Sequence, residues 1–225
     1  MTETTLATVE VETGPMPRLA VIWLHGLGAD GHDFEPIVPQ LGGAGAVRYV
    51  FPHAPHRSVT VNGGYVMRAW YDILGFEATA QEDAAGIRAS AAAVTKLVDR
   101  EIGRGVPAER IVLAGFSQGG AIALHTALRD PRTLGGVLAL STYLPLAATL
   151  ASERSAANAG VPIFMAHGSA DAVLPLTLAE RSRRTLEGLG YTVDWQVYPM
   201  PHAVCQAEIE AIDRWLARIG ANSPS

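Results

Sequence analysis

Short, unbroken apolar runs alternate along this chain with segments whose apolar residues recur every three to four positions, and that alternation restricts the fold more than any other feature. The runs Leu19 to Leu24, Val47 to Phe51, Ile111 to Ala114, Gly136 to Leu140 and Pro162 to Ala166 have the length of strands and no polar face. Strands covered on both sides of a mainly parallel sheet have that character. Thr192 to Tyr198 alternates instead, which suits a strand nearer an edge. Ile87, Ala91, Val94 and Val98, and later Ile209, Ile212, Leu216 and Ile219, mark amphipathic helices that leave one face to water. Strands and helices in alternation imply right-handed crossovers, helices on both faces and a doubly wound α/β sandwich. Thr5 to Glu12, and Val59 to Trp70 interrupted by Asn62-Gly63-Gly64, read as further strands joined by antiparallel turns.

With 225 residues, 48% of them hydrophobic, the chain can bury a core without disulfides or metals. A single domain over 1–225 is expected, with an N-terminal strand region in 1–17 and a frayed polar tail over 220–225. Acids at Glu3, Glu10 and Glu12, with no basic segment leading into an apolar one, argue against a secretory signal. No run approaches the roughly 18 apolar residues of a membrane span, so stable membrane insertion is not expected. The lone Cys205 suits a reducing compartment, and a cytoplasmic location follows as the expectation. A net charge of −5 and a pI near 5.8 leave no basic footprint for nucleic acid. Arg181, Arg183 and Arg184 lie in a helical pattern and read as a solvated helix face.

In such a sheet, ligands bind beyond the carboxyl ends of the strands. Directly after Ile111 to Ala114 comes Gly115-Phe116-Ser117-Gln118-Gly119-Gly120, followed by the helical pattern Ala121 to Leu128. G-x-S-x-G between strand and helix is a sharp turn that lifts a serine hydroxyl clear of the sheet, and small residues two before and two after let strand and helix meet. The helix start also presents unsatisfied N–H groups to a nearby oxyanion, that of Gln118 first.

A serine hydroxyl needs a base within hydrogen-bond reach, itself oriented by an acid, and in this architecture the chain order is serine, acid, histidine. Of the seven histidines, His125, His167 and His202 follow Ser117. His125 lies two turns into the helix, and His167 has no strand-end acid between it and Ser117. His202 follows the Thr192 to Tyr198 strand and the turn Pro199-Met200-Pro201, and meets both order and placement. Asp171, in the turn Gly168-Ser169-Ala170-Asp171, is the orienting acid; Asp194 competes on order alone, from within a strand.

The strand Leu19 to Leu24 ends in His25-Gly26-Leu27-Gly28-Ala29-Asp30-Gly31, where glycines let the chain bend so that the Leu27 N–H becomes a second oxyanion donor. The same glycines match G-x-G-x-x-G, but a dinucleotide site needs a helix opening directly behind them. His53 and His56 could be imagined as metal ligands, yet they lack the further ligands of a closed site, so no metal and no cofactor are expected. Cys205 reads as a small buried residue. Trp23, Trp195 and Trp215 read as core.

Taken together, the chain resembles the bacterial carboxylesterases of the phospholipase/carboxylesterase family, related to acyl-protein thioesterases and lysophospholipases. The resemblance runs almost end to end. It rests on His25-Gly26-Leu27-Gly28, Ala69-Trp70-Tyr71-Asp72-Ile73, Glu82-Asp83, the Ser117 turn, His167-Gly168 to Asp171 with Pro175, and Pro201-His202. It implies an α/β-hydrolase fold without a large cap, a Ser117, Asp171, His202 triad, and Leu27 and Gln118 as oxyanion donors. It also implies that Ile73, Leu74 and Phe76, with Val173 and Leu174, flank an acyl channel. Where relatives often carry acids before the triad aspartate, this chain has Ser169-Ala170. Some relatives form dimers, so a homodimer is within the family's range.

The expected reaction is two-step hydrolysis of short- to medium-chain carboxylic esters in water through an acyl-enzyme, without interfacial activation. Acyl-protein thioesterase and lysophospholipase are alternatives that use the same groups. A non-catalytic acyl-binding protein on the same scaffold is the rival of another kind, and the apparently complete triad argues against it.

Overall fold

In a computed structural model that describes residues 5–75 and 81–221, the apolar runs are strands and the 3.6-residue periods are helices. In chain order come β1 (Thr8–Glu12), β2 (Leu19–Leu24), β3 (Val47–Pro52), and the hairpin of β4 (His56–Val59) with β5 (Tyr65–Arg68). Then follow α1 (Ala84–Gly103), β6 (Ile111–Phe116), α2 (Gln118–Ala127), β7 (Gly136–Leu140) and α3 (Ala147–Glu153). The last elements are β8 (Ile163–Gly168), α4 (Leu176–Gly188), β9 (Val193–Tyr198) and α5 (Gln206–Ala221). The sheet order is β1-β3-β2-β6-β7-β8-β9. Every pairing in this sheet is parallel except β1 with β3, where Val9 opposes Phe51.

Alternate residues of each inner strand feed two separate cores. Ala20, Ile22 and Leu24 pack with Ile87, Val94 and Leu97 of α1 and with the apolar body of α2. Leu19, Val21 and Trp23 pack with Phe34 and with Ile212, Trp215 and Leu216 of α5. Helices therefore cover both faces, as parallel strands demand. Across one end, Arg48 of β3 reaches the fully buried Glu101 of α1 at 3.0 Å, and Arg100 and Arg104 each lie 3.0 Å from the other Glu101 oxygen. Those partners satisfy a carboxylate that burial would otherwise make costly.

Several details depart from the sequence expectation. The N-terminal strand is joined to its antiparallel partner by no tight turn; it crosses beyond β2 to close the sheet edge at β3. Gly220 and Ala221 continue α5 rather than beginning a frayed tail. The connection between β7 and β8 contains α3, which no apolar period announced, and remains too short for a cap domain. Strands β6 and β8 run on to Phe116 and Gly168, delivering the chain to the turns that carry Ser117 and Asp171. On α4, Arg183 lies 3.6 Å from Glu187 and 5.6 Å from the Trp195 ring centre, and Arg184 lies 3.7 Å from Glu180, as befits a solvated face. No helix among the described residues is long and apolar enough to cross a membrane.

At the start of α5, Glu208 is fully buried and neither carboxyl oxygen has a hydrogen-bond partner of good geometry. Burial pushes its pKa up to about 8, which the nearby Cys205 backbone N–H relieves only in part. A carboxyl raised in this way favours the folded state fully below its ordinary value of 4.5, and that advantage is lost as pH rises through about 8. Glu208→Gln is therefore expected to melt with the wild type at pH 5 and at a higher temperature than the wild type at pH 9. Thermal melts with superimposable pH profiles would show that the carboxyl does not fold in its neutral form.

Candidate active site

Ser117 stands between β6 and α2 with φ 53° and ψ −121°, a region that side-chain-bearing residues seldom occupy. Its neighbours leave it no alternative. Its N–H donates to Leu140 O at 2.8 Å, and its carbonyl accepts from Thr142 Oγ1 at 2.6 Å and from Ala121 N–H at 3.2 Å. A Cβ on Gly115 would lie 2.3 Å from the Gly119 carbonyl carbon, and one on Gly119 would lie 2.2 Å from Leu24 O. Only hydrogen fits at either place. Because α2 opens at Gln118, that residue's N–H has no acceptor within the helix.

At the end of β8, Asp171 Oδ1 accepts from the N–H groups of Val173 at 2.9 Å and Leu174 at 2.8 Å, while Oδ2 meets His202 Nδ1 at 2.6 Å. Burial would raise this carboxyl's pKa; the His202 hydrogen bond and the two backbone bonds outweigh it and leave the pKa below the ordinary value. The acid's turn and the histidine's turn are also tied directly. Ser169 N–H donates to Tyr198 O at 2.8 Å and Ala170 N–H to Met200 O at 3.1 Å, and a Cβ on Gly168 would lie 2.3 Å from Met200 O. Ser169 and Ala170 thus act here through their backbone, with both side chains exposed. The His202 ring packs 4.7 Å from the ring of Phe116, the residue before Ser117.

The competing residues have other occupations. Asp194 is held by Arg218 at 2.8 Å and by Gln196 at 3.1 Å on the outer strand β9. His125 is buried in α2, and burial, then the charges of Arg129 and Arg88, lower its pKa to about 4. His167 is more than a rejected base: its Nε2–H donates to Leu174 O at 2.8 Å and lies 3.4 Å from Asp171 Oδ2, bracing the acid's turn. The only sequence signal for that role was its position four residues before Asp171.

The turn after β2 comes up beside the serine. A Cβ on Gly26 would lie 3.6 Å from Ser117 Cβ, and Gly28 turns the chain with φ 78°. His25 sets this turn: its Nδ1–H donates to Gly26 O at 2.7 Å and its Nε2 accepts from Ala54 N–H at 3.0 Å, a pairing that requires the neutral ring. Burial lowers its pKa to about 4, which keeps the ring neutral near pH 7. A peptide's C=O and N–H point opposite ways, so anchoring Gly26 O toward the His25 ring turns the Leu27 N–H away from it. Behind the glycines the chain enters a 3₁₀ turn, Glu35–Gln40, in place of the α-helix a dinucleotide site needs. His53 Nδ1 accepts from Gly31 N–H at 3.0 Å, so that histidine belongs to the turn.

Among the residues expected at an acyl channel, Ile73 is half-buried and bridged to Glu82, and Leu74 is 43% exposed. Val173 is 58% exposed and Leu174 half-buried, and both lend their amides to Asp171. Phe76 lies outside the described residues. The Gln118 side chain was not anticipated: it is buried, its Oε1 accepts from Trp70 N–H at 2.7 Å, and its Nε2 donates to Tyr71 O at 2.8 Å.

Comparison with known proteins agrees with this fold. The family model described as phospholipase/carboxylesterase matches residues 6–219. Acyl-protein thioesterase 1 of Neurospora crassa is 41% identical over 207 residues, covering 87% of this chain and 84% of that protein. Acyl-protein thioesterase 1 of Mycosarcoma maydis is 36% identical over 94% of this chain and 95% of its own. Among solved structures, Zea mays acyl-protein thioesterase 2 superposes with a TM-score of 0.87 at 28% identity, covering 96% of this chain and 99% of that one. A Bacillus cereus carboxylesterase, at 18% identity and a TM-score of 0.77 over 95% and 94% of the two chains, shares the fold. The resemblance drawn to bacterial carboxylesterases thus extends to fungal and plant proteins. The chain belongs to the phospholipase/carboxylesterase family of α/β-hydrolases, serine hydrolases that act on esters or thioesters.

Proposed function

We propose that the chain is an acyl thioesterase that also accepts oxygen esters, working through an acyl-enzyme on Ser117. The observation that carries the chemistry is the 2.6 Å contact between Asp171 and His202, whose ring packs 4.7 Å from that of Phe116, the residue before a serine held at positive φ. His202 removes the Ser117 proton as the hydroxyl attacks the acyl carbon; the oxyanion is received by the N–H groups of Leu27 and Gln118. The leaving thiol or alcohol takes the proton from His202, and water repeats the sequence to release the acid. Asp171 holds the imidazole with Nδ1 protonated, leaving Nε2 to act as the base.

The preference for thioesters is supported by the thioesterase names of the relatives at 36–41% identity. They favour that reading over the short- to medium-chain esters first expected. The exposed apolar side chains of Leu74 and Val173 suit an acyl chain on either reading.

Ser117→Ala is expected to lose both turnover and labelling by a fluorophosphonate while melting near the wild-type temperature; retained labelling would move the nucleophile elsewhere. Asp171→Asn is expected to slow kcat by about 10⁴-fold, the cost of a mis-set imidazole tautomer, and Asp194→Asn to leave it unchanged. The reverse order would reassign the acid. Matched acyl-chain series of thioesters and oxygen esters, read as kcat/KM, are expected to favour the thioester at each length. A consistent preference for short oxygen esters would return the chain to the carboxylesterase reading.

A further inference from the structure

The residues assigned above explain which N–H groups receive the oxyanion, and leave open what holds two donors on separate elements in one geometry. Trp70 is fully buried and hydrogen-bonds to the chain next to each. Its indole Nε1–H donates to His25 O at 2.9 Å, two residues before Leu27, and its ring centre lies 5.3 Å from that of His25. Its backbone N–H donates to the Gln118 side chain at 2.7 Å, and the same amide reaches on to Tyr71 O at 2.8 Å. One residue is therefore bonded on one side to the turn that carries the first donor and on the other to the residue that supplies the second. Ser90 Oγ closes the arrangement by donating to Trp70 O, anchoring it to α1.

We infer that Trp70 is a positioning residue for the oxyanion hole, setting the Leu27 and Gln118 N–H groups relative to each other. This rests on the acyl-enzyme reading given above. The consequence follows from what an oxyanion hole does. Donors aimed at a charge that exists only in the transition state contribute to kcat and leave ground-state binding almost untouched. Both half-reactions pass through an oxyanion, so misalignment lowers kcat whichever half limits turnover. A tryptophan that merely lined the acyl channel would show its loss in KM, and one that merely filled the core would show it in the melting temperature.

Trp70→Phe removes the indole donor and keeps an aromatic ring; Gln118→Met removes both side-chain hydrogen bonds at similar length. In each, kcat is expected to fall by about tenfold, less than the hundredfold or more typical of deleting a donor outright, with KM unchanged. Inhibition by a trifluoromethyl ketone, which forms the oxyanion adduct, should weaken by the same factor. The double variant should lose less than the product of the two, since both changes release the same hub. Unchanged kcat, a loss confined to KM, or undiminished ketone inhibition in whichever variant folds would overturn the inference while the reading of Ser117 stood. A wild-type protein inert toward fluorophosphonate and every acyl ester would overturn both together.

Discussion

The rest of the structure depends on backbone touching backbone where β6 turns into α2. With no side chain at Gly115 or Gly119, the first turn of the helix lies against the carbonyl ends of Leu24 and His25, closer than any Cβ would permit. The chain can make that approach only by passing through Ser117 at positive φ, which lifts the hydroxyl out of the sheet and points the helix's open N–H groups at the same space. The strain at one residue is offset by contacts over the whole turn. The turn after β2 must in turn be glycine-rich, because Gly26 lies against Phe116 and Ser117 from the other side.

Around this contact the charged and titratable groups are arranged by burial and hydrogen bonding in opposing senses. Asp171 is buried yet keeps its pKa below the ordinary carboxylate value, because each oxygen is provided with donors. His25 is buried and stays neutral, with one nitrogen donating and the other accepting. Glu208 is buried without good partners, and its carboxyl is pushed toward the neutral form. The same low-dielectric interior thus yields an anion, a neutral base and a neutral acid, and the difference lies in how many hydrogen-bond donors reach each group.

Much of this was legible in the sequence because it depends on repeating patterns. Leu19 to Leu24 and Gly136 to Leu140 are strands to the residue, since a strand buried on both faces leaves an apolar run of its own length. Asp171 and His202 were legible through chain order, and the structure brings them into contact. What escaped is what pattern does not encode. The roles of His167, the Gln118 side chain and Trp70 depend on which carbonyl or amide each meets across as many as 48 residues of chain. The pairing of β1 with β3 escaped for the same reason: alternation says that a strand has two faces, not which edge it joins. The α3 helix, with one fully buried residue, lacked an apolar stripe to announce it.

The placement of the reactive residues along the sheet also bears on how the protein is made. Ser117 lies at the end of β6, which pairs with β2, so the serine and the turn carrying Leu27 can be brought together by strands already in hand when the first half of the chain is complete. His202 lies beyond β9, at the far edge of the sheet, and meets Asp171 only after β7, β8 and β9 have been laid down in succession. The bonds that hold Ser117 at positive φ come from Leu140 and Thr142, at the end of β7, so the serine's turn can be complete before the turn that bears its proposed base. On the proposed reading, the outermost strand of the sheet is the one whose docking brings His202 to Asp171 and completes the site.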